Sequence, residues 1–158
     1  MLPAGRRTWP AVAYLLEAGA AEFVAMIAPG HVAAIRGAHE WRFVAEKPGL
    51  PVCVAGFSAD SLLAALYTVL ARRLKREAAL DNAYPTVVRS AGNLRAQQLL
   101  AQVFTVEDAN WRGIGRIAAS GYRLSPAHAG RDAAHHFPIQ AAERPRAGAM
   151  PPGCDCAA

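Results

Sequence analysis

Two short turns in the sequence carry residue types that could hold a ligand. The first, Ala-Pro-Gly-His, follows an apolar segment and ends at His31, and the second, Ala-Gly-Phe-Ser, follows another apolar segment and contains Gly56. Glycine lets the backbone approach a ligand closely, and an imidazole can donate or accept a hydrogen bond near neutral pH. The sequence therefore predicts a cleft lined by Pro29, Gly30, His31, Gly56 and Phe57.

A purely structural interpretation of the same turns remains open. Pro-Gly after a strand is common turn chemistry, and a histidine at the start of a helix is often a surface residue. Neither turn contains the GxGxxG or GxxxxGKS/T pattern, so the sequence disfavours a dinucleotide site and a P-loop.

The thiols suggest an incomplete metal site. Cys53 lies between two valines, which is typical of a buried structural thiol. Cys154 and Cys156 lie near the end of the chain and are the candidate metal ligands. Structural zinc sites and iron–sulfur clusters usually need four ligands, so two thiolates make a weak, incomplete cluster site. Three cysteines do not indicate a disulfide framework.

Short apolar segments alternate with amphipathic ones over the first two thirds of the chain. Predicted strands cover 21–29 and 50–57, and predicted helices cover 8–19, 31–47 with a break at Gly37, 59–76 and 94–104. Such alternation predicts parallel strands joined by helical crossovers. The expected fold class is α/β, a small parallel sheet with flanking helices like half of a Rossmann fold, followed by an irregular C-terminal extension. Parallel strands open at one edge, so the two turns should lie side by side if their strands are neighbours.

The apolar spacing of the longer helices predicts which faces are buried. In helix 59–76, capped by Ser58, the predicted buried face is Leu62, Leu63, Leu66, Val69 and Leu70. In helix 94–104 it is Leu99, Leu100, Val103 and Phe104. Beyond this helix the pattern weakens, and at most a short helix is expected between 120 and 138.

Composition narrows the function classes. The 158 residues are 53% apolar and 18% charged, with a net charge of +5, which indicates a globular chain. The basic cluster at residues 72–77 closes a predicted helix, where cations suit the helix dipole, so no nucleic-acid partner is expected. No apolar run approaches the ~18 residues of a membrane span, and no signal peptide is recognisable. We expect a cytoplasmic protein with no membrane partner.

The stretch Asn-Trp-Arg-Gly-Ile-Gly joins a large aromatic ring to a guanidinium group and two glycines. One interpretation is a packed Trp111 that anchors a loop, with Arg112 hydrogen-bonded nearby and Gly113 in the turn. The other is an interaction surface, because tryptophan and arginine are common anchors of protein interfaces.

Six stretches, in their order along the chain, resemble the HypD family of hydrogenase maturation factors. They are APGHVAAIRG, PVCVAGFSADSLLAAL, DNAYPTVVR, GNLRAQQLLAQVF, WRGIG and GCDCAA. The family positions retained in this chain are Gly30, His31, Gly56, Asn82, Tyr84, Trp111 and Arg112. The chain departs from the family at Ala28, Ala33, Ser58, Ala59 and Thr86, where the family usually has Gly, Ser, Glu, Pro and Arg.

The resemblance implies a scaffold for cofactor assembly in [NiFe]-hydrogenase maturation. The intact family has two α/β domains and a C-terminal region with a [4Fe-4S] cluster. With the small partner HypC it carries an iron centre that receives carbon monoxide and cyanide ligands. HypE delivers the cyanide, and the Fe(CN)₂CO unit goes to the hydrogenase large subunit. His31 would then lie on one wall of the iron cleft and donate a hydrogen bond to a ligand or thiolate.

The two thiol motifs of the family's first domain, which resemble CGTHT and GCPVC, do not occur in this chain. The resemblance therefore divides the chain into a second α/β domain (1–108), a partial third-domain segment (109–138) and a Pro/Ala-rich tail (139–158) that ends in Cys-Asp-Cys. We expect a fragment that holds no complete cofactor and is not catalytic by itself.

Two other functions remain open. The chain could be a standalone α/β module that binds an anion or small ligand at its carboxyl edge, or an inactive truncated product. A domain separated from its neighbours should expose apolar surface, with Trp9, Trp41 and Phe57 as candidates, and should self-associate.

Overall fold

Three short strands form a parallel sheet in the order β1-β2-β3. The structure is a computed structural model, and it describes residues 1–19 and 23–137. The strands are β1 (Met26–Pro29), β2 (Val52–Ala55) and β3 (Leu80–Asn82), and Pro29 of β1 pairs with Ala55 of β2. The α/β class and the small parallel sheet predicted from the sequence are confirmed.

The central strand β2 is buried on both faces. Its side chains alternate between two separate hydrophobic clusters, one on each face of the sheet. Val52 and Val54 join one cluster, and Cys53 and Ala55 join the other, because successive side chains of a strand point to opposite faces. The first cluster packs against α1 (Thr8–Glu17), α2 (Gly30–Arg36) and α3 (Arg42–Glu46), and the second against α4 (Ala59–Leu74). The sheet is therefore covered by helices on both sides.

The predicted break at Gly37 separates α2 from a 3₁₀ turn (Ala38–Trp41) that leads into α3. Gly37 has a φ of 98°, a conformation that residues with a side chain rarely adopt. A Cβ at this position would also collide with the backbone of the segment at 90–92. That close approach lets the Ala38 N–H donate to the Arg89 carbonyl at 3.1 Å, which holds the turn against the following chain.

The buried face predicted for α4 is wrong in four of its five positions. Leu62, Leu63, Leu66 and Leu70 are all exposed, and the buried residues of α4 are Ser61, Ala65 and Val69. The reason lies in the partner surface: β2 offers only Cys53 and Ala55 on this side, so the helix packs through its small residues. The predicted Ser58 cap is confirmed, since its hydroxyl accepts the Ser61 N–H at 3.3 Å.

The last of the longer predicted helices is α5 (Leu94–Val103), which packs on α2 and buries no residue completely. Leu99 is exposed, which contradicts the prediction, whereas Leu100, Val103 and Phe104 are half-buried. The Asn93 side chain caps this helix by accepting the Ala96 N–H at 3.0 Å.

A two-stranded antiparallel hairpin follows α5, formed by β4 (Phe104–Trp111) and β5 (Gly115–Leu124). This hairpin was not predicted from the sequence. It packs against α1, and the Arg7 N–H donates to the Ser120 carbonyl at 2.8 Å. After it come a 3₁₀ turn (Pro126–Arg131) and α6 (Ala133–His136), which confirms the short helix expected in that region.

Two surface features bear on the function classes. Within the described residues, none of the helices combines the length and the hydropathy needed to cross a bilayer.

In the basic cluster at residues 72–77, Arg72 makes two hydrogen bonds to Asp81 and one to Glu77. Part of the positive charge is therefore neutralised within the fold.

Candidate functional site

The two glycine-containing turns lie side by side at the carboxyl edge of the parallel sheet. Pro29 and Ala55 are paired in neighbouring strands, and Gly30 and Gly56 follow them directly. The His31 and Phe57 rings lie with their centroids 5.1 Å apart. The structure therefore brings together the five residues predicted to line a cleft, because parallel pairing places the ends of both strands at one edge.

Tyr84, from the segment after β3, packs against both glycines. A Cβ on Gly30 would lie 2.9 Å from Cδ1 of Tyr84 and would collide with the Ala55 carbonyl oxygen. A Cβ on Gly56 would lie 3.2 Å from three atoms of the same ring. Gly30 therefore has no room for a Cβ, whereas a Cβ on Gly56 would require the Tyr84 ring to move by a few tenths of an ångström. The Tyr84 ring joins the loops that follow all three strands.

Asn82 fixes the loop that presents Tyr84. Its side-chain Nδ2 donates to the Val88 carbonyl at 2.9 Å, and its Oδ1 accepts the Tyr84 N–H at the same distance. Both polar atoms of the amide are used within the fold, which is the usual way that asparagine stabilises a turn. Asn82 therefore acts here as a positioning residue for Tyr84.

Ser61 also belongs to this edge, although the sequence did not predict it. Its hydroxyl accepts the Gly56 N–H at 2.8 Å and donates to the Ala83 carbonyl at 3.0 Å. One buried side chain of α4 thus joins the turn after β2 to the loop after β3. A small hydroxyl residue in the first turn of a helix was the available signal, but only the tertiary structure supplies its two partners.

The edge presents an exposed surface above a closely packed base. Gly30 and Gly56 are buried, whereas His31 is exposed and Phe57 is 74% exposed. The arrangement offers an imidazole for hydrogen bonding beside an apolar ring. It suits contact with a ligand or with another protein surface that covers Phe57.

The predicted Trp-Arg-Gly motif lies in a separate sheet, at the turn of the hairpin. The Trp111 Nε1–H donates to the Ser120 hydroxyl at 2.8 Å, so the ring anchors β4 to β5. Gly113 has a φ of 79° in the turn, and Arg112 beside it is exposed. The structure therefore supports the anchoring interpretation for Trp111.

The described residues do not form a metal centre. They contain no group of three or more His, Cys, Asp or Glu side chains able to hold a metal ion. Cys53 is buried, and burial raises the pKa of its thiol, which keeps it protonated. Cys154 and Cys156 lie outside the described residues. The whole chain has three cysteines, fewer than the four thiolates that usually hold a [4Fe-4S] cluster, so its own residues do not fit that cofactor.

The parallel sheet, the paired glycine turns and the exposed imidazole define an α/β domain with a candidate ligand site at its carboxyl edge. The profile of the HypD family, described as "Hydrogenase formation hypA family", matches residues 1–158. The chain therefore belongs to the HypD family.

Relatives with known names agree with this assignment. The chain is 38% identical over 142 residues to the hydrogenase maturation factor HypD of Escherichia coli K12, which covers 87% of the chain and 38% of that protein. It is 37% identical over 133 residues to HypD of Rhodobacter capsulatus, covering 84% of the chain and 35% of the relative. It is 30% identical over 143 residues to HypD of Azotobacter vinelandii, and this match covers 90% of the chain and 37% of the relative. The chain thus spans less than two fifths of these relatives.

Proposed function

We propose that this chain serves hydrogenase maturation as the HypD module that supplies one wall of the site where the iron unit is assembled. The observation that supports this function is the meeting of His31, Gly56 and Tyr84 at one sheet edge. All three lie in stretches of the sequence that resemble HypD motifs. The iron with its carbon monoxide and cyanide ligands is the cargo in this proposal.

Within this site, the role of His31 is to donate a hydrogen bond to a ligand of the iron or to a thiolate on the opposite wall. Its exposure and its position beside Phe57 leave the imidazole accessible to a group outside this domain. Tyr84, Asn82 and Ser61 act through the backbone, because their contacts fix the turns that carry His31 and Phe57.

The proposed partners are HypC, which carries the iron with HypD, and HypE, which delivers cyanide, with the hydrogenase large subunit receiving the product. The exposed Phe57 and the neighbouring His31 suit a protein surface that closes over the edge. The proposed compartment is the cytoplasm. The iron-binding and redox thiols are assigned to the part of HypD that this chain does not match, so the chain alone is proposed to be incompetent.

The proposal can be tested by anaerobic reconstitution. The full chain is mixed with HypC, cyanide-loaded HypE, ferrous iron, carbon monoxide and a reductant, with and without a HypD polypeptide that carries the two thiol motifs. Infrared bands of iron-bound carbon monoxide and cyanide are the readout. We expect no bands with the chain alone and recovery of the bands when the thiol-containing polypeptide is added. Bands formed by the chain alone would contradict its proposed incompetence.

Variants at His31 test the role of the edge itself. His31→Ala and His31→Gln should weaken the recovered bands, with the glutamine variant retaining more signal because its amide still donates a hydrogen bond. His39→Ala is the matched control, because His39 is also exposed but lies in the 3₁₀ turn after α2. Equal bands for the His31→Ala and His39→Ala variants would refute the proposed role.

A further inference from the structure

The outer face of α4 is apolar along most of the helix. Between Ser61 and Ala71 the chain has no charged residue. The helical members of this face recur at spacings of three and four residues, on the side opposite the small residues that pack on β2. Together with Phe57, which precedes the helix cap, they form what we call the α4 patch: Phe57, Leu63, Leu66, Tyr67, Leu70 and Leu74.

The α4 patch is large enough to form the centre of a protein interface. Each of its four leucines and two aromatic residues is exposed by 45% or more. These side chains amount to several hundred Å² of apolar surface, since one aromatic side chain alone can bury about 150–250 Å². Monomeric proteins rarely leave larger continuous apolar patches in water, and a stable interface buries about 800 Å² on each partner.

The composition of the patch favours a permanent partner. Interfaces that form and separate are about as polar as the rest of a protein surface, whereas permanent interfaces are more apolar. On α4 the exposed charged residues stand only at the two ends of the helix, with Asp60 at the start and Arg73 near the end. Such a surface suits a body that stays in place more than one that delivers a cargo and leaves.

The position of the patch indicates which permanent partner it fits. Phe57 belongs both to the patch and to the sheet edge, where its ring lies 5.1 Å from the His31 ring. A body that closes over His31 from this side therefore also meets α4. The chain covers only 38% and 35% of two HypD relatives, so most of the length of those proteins lies outside the matched part.

We infer that the α4 patch is the docking surface for the part of HypD that carries the two thiol motifs. This inference rests on the proposed function, because it names the partner that supplies the opposite wall of the same site. Docking on α4 brings the thiols up to the edge that presents His31. Arg73, Lys75 and Arg76 are exposed at one end of the patch, so the matching surface is apolar with acidic residues at that end.

The test measures docking without iron, HypC or HypE, so that a failure of the iron chemistry leaves it unaffected. The full chain is co-expressed with a HypD polypeptide that carries both thiol motifs, and the purified mixture is studied by sedimentation. We expect a complex with one copy of each. A chain that associates only with itself would show that a second copy covers the patch and would overturn the inference.

Variants on two helices locate the contact. Replacing both Leu63 and Leu70 by glutamine should weaken the complex at least about tenfold, because two apolar side chains lose their burial. Leu94→Gln, an exposed leucine on α5, is the matched control and should leave the complex unchanged. Circular dichroism checks that each variant is folded. Equal affinity of the double variant and the Leu94→Gln variant would place the docking surface elsewhere.

A charge reversal tests the chemistry of the partner surface. Arg73→Glu should weaken the complex about threefold at low salt and less at high salt, because exposed charges are screened. Arg95→Glu, an exposed arginine on α5, makes the same change in net charge and should have no effect. Equal effects of the two reversals would contradict an acidic surface at the end of α4. A complex that passes these tests while the infrared bands fail to appear would refute the proposed function and leave the docking surface intact.

Discussion

The centroids of the His31 and Phe57 rings lie 5.1 Å apart, although 25 residues lie between the two positions along the chain. The contact exists because β1 and β2 are parallel neighbours and both turns leave the sheet at its carboxyl edge. It makes the imidazole and the apolar ring parts of one surface, so a change in the turns beneath them should affect both.

Gly30 should be intolerant of a side chain. Gly30→Ala should lower the free energy of unfolding by about 1–3 kcal/mol, because its Cβ would meet the Ala55 carbonyl and the Tyr84 ring. Gly130→Ala is the matched control, since a Cβ at that position would meet no atom within 4 Å. Chemical denaturation of both variants is the measurement. A Gly30→Ala variant as stable as the Gly130→Ala variant would disprove the packing described here.

Ser61→Ala should cost about 1–3 kcal/mol of stability, because it leaves the Gly56 N–H and the Ala83 carbonyl without their partner. It should also speed hydrogen exchange at the Gly56 amide. Thr68→Ala, on the same helix, removes a hydroxyl whose one hydrogen bond among the described residues goes to the Ala64 carbonyl, and it should change stability by less than about 0.5 kcal/mol. Unchanged exchange at Gly56 would show that Ser61 does not hold the turn.

The hairpin should weaken in acid through Asp108. The Ala119 N–H and the Arg116 guanidinium donate to its carboxylate at 2.9 and 3.0 Å and hold the pKa of Asp108 below its usual range. Since the folded-state pKa is lowered, the stability that Asp108 contributes is present above the unfolded pKa of about 3.9 and is lost as the pH falls through the folded value.

Thermal unfolding of the wild type and Asp108→Asn between about pH 5 and pH 2 measures this effect. The difference in Tm should be largest at the upper pH and should shrink as Asp108 is protonated. Arg116→Gln should keep part of the dependence, because the Ala119 hydrogen bond remains. A constant difference across the range would exclude the proposed linkage.

Cys53 should react slowly in the folded protein. The thiol is buried, and burial raises its pKa, so both access and the thiolate fraction are low. In a chain carrying Cys154→Ser and Cys156→Ser, alkylation by iodoacetamide should be slow in buffer and rapid in urea. The urea sample is the control for intrinsic reactivity, and equally rapid alkylation under both conditions would contradict the burial.

The exposed face of α4 should cause self-association. Leu63, Tyr67, Leu70 and Leu74 recur at helical spacing and are exposed by 51% or more, which leaves a continuous apolar stripe in water. Replacing Leu63 and Leu70 by glutamine should lower the weight-average mass in sedimentation without loss of stability. Leu94→Gln, an exposed leucine on α5, should leave the mass unchanged. If the double variant at Leu63 and Leu70 associates as strongly as the Leu94→Gln variant, the contact between copies lies on another face.

Two of the three aromatic residues expected to be exposed differ from the prediction. Phe57 is exposed as predicted, Trp9 is half-buried, and Trp41 is completely buried in the cluster below α2 and α3. The sequence marks Trp41 only as a large residue near a helix break. Its burial depends on the 3₁₀ turn that follows Gly37, and that turn is set by contact with the segment at 89–92.

The local sequence pattern of β4 is insufficient to predict the hairpin. β4 contains several exposed residues on both faces, and an irregularity between Glu107 and Ala109 interrupts the alternation that predicts a strand. Pairing with β5 and packing on α1 stabilise it, and neither partner is visible in the local sequence.

The sequence by itself determined the α/β class, two of the three parallel strands, the helix boundaries to within a few residues and the two turns that carry His31 and Gly56. These follow from local physics, since apolar periodicity, glycine and proline act over a few neighbouring residues. Only the tertiary structure decided which face of α4 is buried and that Ser61 and Tyr84 hold the site together. Those outcomes depend on contacts between distant segments, where the shape of the partner surface overrides the pattern of a single element.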